Sequence, residues 1–130
     1  MLQELNKIAI WLFDNNGVHL IHWYLVLIVF DTIIGTVRSA HNSRLKSRSY
    51  LYGLLIKLLA IMCIPIANMA DDLVNNYMHA HIGFDISDGF TVALLLYEAI
   101  SIVENLHAMG AFTGNLQKIL DNIFASEDKK

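Results

Sequence analysis

The sequence predicts an all-α integral membrane protein. Three transmembrane helices are flanked by short amphipathic helices, with the N-terminus outside and the C-terminus cytoplasmic. Three observations predict this. First, 55% of the 130 residues are hydrophobic and only 16% are charged, where a soluble domain usually holds about 25% charged residues. Second, the apolar residues gather into three runs of about 20, the length that crosses a ~30 Å hydrocarbon core. Third, the links between the runs carry opposite charge. Arg38, Arg44, Lys46 and Arg48 surround the first link without an acid, whereas Asp71, Asp72, Asp85 and Asp88 fill the second without Lys or Arg. Basic links are retained in the cytoplasm, and an odd number of spans puts the termini on opposite sides.

Residues 1–14 read as an interfacial amphipathic helix, too short to span. Leu2, Leu5, Ile8, Ala9, Leu12 and Phe13 share one face, and Gln3, Glu4 and Lys7 the other. Asn15-Asn16-Gly17 is expected to break it. No secretory signal is evident in MLQELNKIAIWLF, so the apolar spans are expected to stay in the mature protein. Residues 18–38 form the first span. Trp23 and Tyr24 suit an interfacial belt, Asp31 is the charged intruder, and Gly35, one turn later, permits close helix approach. Residues 39–50 form the basic cytoplasmic loop, with Arg38, Arg44, Lys46 and Arg48 as anchors.

Residues 51–70 form the second span. Lys57 is its intruder, Pro65 is expected to kink it, and Gly53, Lys57, Ile64, Asn68 and Asp72 lie along one broad polar-bearing face. Its single cysteine, Cys63, excludes an intramolecular disulfide and reads as space-filling. Residues 71–89 form the acidic external loop. Residues 90–110 form the third span, which Gly110 ends. Residues 115–125 follow as an amphipathic helix bearing Leu116, Ile119, Leu120, Ile123 and Phe124, which lies on the membrane surface or contacts another copy. Residues 126–130 are a charged tail. No repeat or linker divides this single membrane domain.

The third span carries Glu98, Glu104 and Asn105 within LLLYEAISIVENLHAMG. A carboxylate at bilayer depth costs a few kcal/mol. At about 100° per residue, Tyr97, Glu98, Ser101, Glu104, Asn105 and Ala108 fall on one stripe roughly 120° wide. Asp31 lies seven residues before Arg38, Lys57 nine after Arg48 and Glu104 six before Gly110. At 1.5 Å per residue all three sit roughly 9 to 14 Å from the basic end. An Asp31–Lys57 or a Glu104–Lys57 pair offsets part of the desolvation. At least one acid is left over, and Glu98 lies nearer the outside. Self-association, a water-filled pore or protonation would satisfy the surplus. Asp31, Lys57, Asn68, Glu98, Ser101, Glu104 and Asn105 are therefore the candidate polar seam, with Gly35, Gly53 and Gly110 as packing positions.

Other chemistry has little support. His19 and His22, or His79 and His81, lack the convergence a metal needs, so no metal or cofactor is expected. The basic patch is short and wedged between spans, which argues against nucleic acid. No phosphate loop or nucleophile constellation suggests an enzyme.

Three stretches resemble the toxin-secretion and phage-lysis holins, small bacterial and phage membrane proteins. They are FDTIIGTVRSA, SRSYLYGLLIK and, most specifically, LYEAISIVENLHAMG. Together they span about residues 30 to 110. The family often has a Pro soon after the final Gly, whereas AFTGNLQ has none. The resemblance implies a protein of the bacterial cytoplasmic membrane that forms homo-oligomers and opens pores or lesions. These dissipate the membrane potential and release a cell-wall hydrolase (an endolysin) or a toxin. An antiholin is a further implied partner. The alternatives are that the chain is itself an antiholin or regulatory membrane subunit of the same family, a small ion channel or transporter subunit, or a structural subunit of a larger membrane complex.

Overall fold

The computed structural model describes residues 1–42, 47–80 and 82–127. Arg44, Lys46 and His81 lie outside the described residues. The chain is helical throughout its described elements: α1 (Leu2–His41), α2 (Ser47–Asp72), a π-helical turn (Leu73–Tyr77), α3 (Ile86–Ala108) and α4 (Gly114–Glu127). Three helices are long and apolar enough to cross a membrane: Leu2–His41, Tyr50–Tyr77 and Ile86–Ala108. α1 and α3 run parallel and make the most extensive contact, with α2 antiparallel against both.

The seam follows a heptad-like rhythm, the spacing that keeps one stripe of a helix against its neighbour. On α1 it runs through Tyr24, Ile28, Asp31, Gly35 and Arg38. On α3 it runs through Ser87, Thr91, Leu94, Glu98, Ser101 and Asn105. Few apolar side chains are buried. Among the described residues they are Tyr24, Ile28, Ile64 and Leu120, while large aliphatic and aromatic side chains cover the outside. The polarity is thus arranged inside and the apolar surface outside, as a bilayer solvent requires.

The expected break near Asn15-Asn16-Gly17 falls one residue earlier. Asp14 has φ 54 and ψ −177 and divides α1 in two. Its carboxylate accepts the Gly17 N–H at 2.6 Å, so it acts as the N-cap of the second half. Asn68 of α2 donates to the Leu12 carbonyl at 3.2 Å, which satisfies an acceptor at the end of the first half. The N-terminal amphipathic segment therefore continues into the first span through a stitched kink. α2 runs on through Pro65 without a break in the helix.

The acidic link is largely built into helix ends. Asp85 caps α3, accepting the Asp88 N–H at 2.9 Å and the Ser87 hydroxyl at 2.7 Å. Asp71, at the end of α2, accepts the Ile86 and Ser87 N–H groups at 2.7 and 2.8 Å. α3 therefore begins at Ile86, ahead of the expected residue 90. At its other end Gly110 has φ 75, and the Gly110 and Ala111 N–H groups bond to the carbonyls of His107 and Leu106. This left-handed glycine stop is the Schellman arrangement. A Cβ placed on Gly110 or on Gly53 would meet nothing within 4 Å. Within one chain, therefore, neither is pressed against a neighbouring helix among the described residues. Gly35 alone of the three lies beside another helix, with Asn105 Nδ2 3.7 Å from where a Cβ would stand.

α4 docks by one flank. Leu120 is buried, His107 Nε2 lies 3.0 Å from Asp121 Oδ1, and the His107 ring packs on Phe124. Its other flank exposes Leu116 and Ile119.

The kink yields a stability prediction. Asp14→Ala loses the cap and keeps the left-handed backbone, so it should lower bundle stability by about 1 kcal/mol. Asp14→Gly loses the cap but adopts that backbone freely, and should stay within a few tenths of a kcal/mol of the parent. Reversible unfolding in mixed detergent micelles, followed by circular dichroism, measures both. Equal losses would refute the backbone contribution.

Candidate functional site

Lys57 stands on α2 at the level where α1 and α3 present acids. Its ammonium bonds to Asp31 of α1 and to Glu98 Oε2 of α3, the latter at 2.5 Å. Glu98 is 1% exposed and Asp31 8%, so neither carboxylate relies on solvent. The second oxygen of Asp31 accepts the Ser101 hydroxyl at 2.8 Å and Asn105 Nδ2 at 3.1 Å. Arg38 donates to Asn105 Oδ1 at 2.8 Å. A chain of contacts therefore runs from Glu98 through Lys57, Asp31 and Asn105 to Arg38. Its formal charges are two negative and two positive. A buried ion pair is tolerable when each member also has hydrogen-bond partners, and here each carboxylate has a cation while Asp31 has two further donors.

The remaining polar groups extend this column toward the acidic end. The Tyr24 hydroxyl donates to the Lys57 carbonyl at 3.3 Å. Thr91, fully buried, donates to the Ser87 carbonyl at 2.9 Å, and Ser87 is buried beside it. Asn68 and Asp71 of α2 continue the same line.

The structure thus gathers Asp31, Lys57, Glu98, Ser101, Asn105 and Arg38 into one network. Asn68 lies along the column but serves the kink. Glu104 is a correction: it is exposed on α3, outside the seam, with no side-chain hydrogen bond or ion pair among the described residues. The expected 120° stripe splits. Glu98, Ser101 and Asn105 face α1 and α2, whereas Tyr97, Glu104 and Ala108 face outward. Tyr24 is the second correction. It is 1% exposed and belongs to the core, while its neighbour Trp23 is 62% exposed. The heptad distance from Tyr24 to Asp31 was the available signal. Arg48 is exposed at the start of α2, and Cys63 is free and exposed.

At the opposite end Asp14, Asp85 and Asp88 bring one carboxylate oxygen apiece within 4.8 Å of one another. Asp14 and Asp85 already cap helices. Three carboxylates alone fall short of the six to eight oxygens a calcium ion takes. Burial opposes ionisation of Asp85, but hydrogen bonds from the Asp88 backbone and the Ser87 hydroxyl outweigh it and hold its carboxyl below the usual range.

The shared ammonium makes a direct prediction. Lys57→Met strands two buried carboxylates and should destabilise the bundle by about 3–5 kcal/mol. Adding Asp31→Asn and Glu98→Gln removes the stranded charges and should recover most of that loss. The same micellar unfolding assay compares the single and triple variants. A single variant as stable as the parent would show that the triad does not hold the helices.

The chain as a whole is similar to known proteins. The bacteriophage holin family matches residues 9–125. The chain is also 29% identical over 122 residues to the uncharacterized protein YqxH of Bacillus subtilis (strain 168), covering 90% of this chain and 81% of that protein. No solved structure matches it. With three helices of spanning length and a match that runs from the first of them into α4, the chain is a multi-pass protein of the cytoplasmic membrane and belongs to the bacteriophage holin family.

Proposed function

We propose that this protein is a holin: it accumulates in the cytoplasmic membrane, self-associates and opens lesions that dissipate the membrane potential and release a cell-wall hydrolase or a toxin. The basic end, with Arg38 and Arg48, faces the cytoplasm in this reading, and the acidic caps face outward. The observation that carries it is the buried polar column inside an apolar exterior. A bundle with Ser87, Thr91, Glu98, Ser101 and Asn105 along one helix has a surface that water can wet once the helices part. While they stay packed, Lys57 satisfies the acids from within. Residues Asp31, Lys57 and Glu98 hold the resting bundle, and their separation exposes the column to a lesion. The bilayer is the first partner, a second copy the next, and a hydrolase or toxin the cargo.

Controlled expression in a bacterial host, with membrane potential and escape of a cytoplasmic cell-wall hydrolase recorded together, tests this reading. Abrupt depolarisation with hydrolase release is the expected result. Depolarisation with the hydrolase retained would instead indicate a small ion pore. No effect at good membrane levels would overturn the lytic role and leave an antiholin. In the same assay the neutral triple variant at Asp31, Lys57 and Glu98 should shift the onset of lysis. An unchanged onset would remove the triad from the opening step.

A further inference from the structure

Within the apolar stretches 18–38, 51–70 and 90–108, Glu104 is the one carboxylate among the described residues that the bundle leaves exposed. It shares the outward face of α3 with Tyr97 and Ile100, which are 68% and 55% exposed. Two heptad-spaced polar groups, Tyr97 and Glu104, therefore face either lipid or another protein. A lipid-facing carboxylate is unfavourable, and no base of the same chain pairs with it among the described residues.

A matching base lies on α2. Arg48 is exposed and also has no ion-pair partner among the described residues. It begins an outward stripe with Tyr52, Leu55, Leu59 and Met62, spaced by four, three, four and three residues. The two residues lie at similar depth. Lys57 and Glu98 touch and set a common level. Glu104 lies six residues from that level, about 9 Å, and Arg48 lies nine residues from it, about 14 Å, toward the same end. The long Arg side chain covers the difference. Lys118, another exposed base, sits on α4 past the end of α3.

We infer that the Tyr97–Glu104 face of α3 packs on the Arg48–Leu55 face of α2 in a second copy, with Glu104 paired to Arg48 of that copy. The contact joins two different surfaces. An α3-to-α3 contact would instead place Glu104 against Glu104. Joining unlike faces leaves one α2 face and one α3 face free at the ends of every assembly, so copies add until a ring closes or an array extends. The inference rests on the self-associating reading above and gives it a geometry.

Cross-linking in membranes tests it, in a Cys63→Ser background. Ile100→Cys and Leu55→Cys each lie two residues from the Lys57–Glu98 level. Chains carrying one substitution apiece should cross-link only when both are expressed together. A chain carrying both should give a ladder of trimers and larger species. Glu104→Arg should reduce the ladder about tenfold or more, and Arg48→Glu in the same chain should restore it. These positions are exposed, so the level of membrane-inserted monomer serves as the folding control. Self-cross-linking of the Ile100→Cys chain that stops at dimers would overturn the inference, as would a ladder insensitive to Glu104→Arg. A charge-dependent ladder without depolarisation would fail the lytic reading and leave the contact standing. Lysis with no ladder would do the reverse.

Discussion

The structure depends on one ammonium group shared by two carboxylates from two other helices. Lys57 bonds to Asp31 and Glu98 together, so α1, α2 and α3 meet at a single point inside the bundle. The hydrophobic effect supplies little of that specificity in a bilayer, because lipid tails solvate leucine as well as another leucine does. Where every helix exterior is apolar, the position and register of each helix are set by the polar groups it must satisfy. Ser101, Asn105 and Arg38 then fix how α1 and α3 slide on each other, since Asp31 takes donors from both residues of α3. Gly35 lies beside Asn105 at this crossing, where a Cβ would stand in ordinary contact with its amide at 3.7 Å.

The ends of the helices are solved by a different device. Asp14, Asp71 and Asp85 commit their carboxylates to backbone N–H groups that helix starts leave unpaired. Two of these bonds are local caps. The Asp71 bonds run from α2 to α3 and close the acidic end of the bundle much as Lys57 closes its middle. The basic end has no such lateral cap among the described residues. It is closed by the Gly110 stop and by α4, held on one flank through His107, Asp121 and Phe124. The two ends therefore differ in how firmly they bind the helices together.

Much of this was legible in the sequence. The three spans followed from apolar run length, and counting residues to the basic link put Asp31 level with Lys57 but left Glu104 as an equal partner, whereas Lys57 pairs with Asp31 and Glu98. The choice between Glu98 and Glu104 was not legible. They lie six residues apart, about 120° around a helix after whole turns are removed, so one broad stripe holds both while a single seam takes only one. Which edge of the stripe turns inward depends on α1 and α2. Tyr24 was hidden for a related reason: an aromatic near a span's start suits a belt as well as a core, and only its register with Asp31 separates the two. The kink at Asp14 lay one residue from the expected break because the cap, not the glycine, sets where the second half begins.

The division of the acids carries the mechanism a step further. Glu98 and Asp31 are satisfied within one copy, so they favour a closed bundle. Glu104 is satisfied only by something outside it. Assembly and opening can then be separate events, since a contact through Glu104 asks nothing of the buried triad. Pulling α2 away, by contrast, strands two carboxylates and an ammonium at once unless water takes their place. Partial opening in lipid is therefore the least favourable state. Closed bundles can accumulate side by side in the membrane while their columns stay dry. Once one column is wetted, the neighbouring helix faces water and its own polar groups lose less by parting. On the proposed function, that coupling turns gradual accumulation into an abrupt lesion.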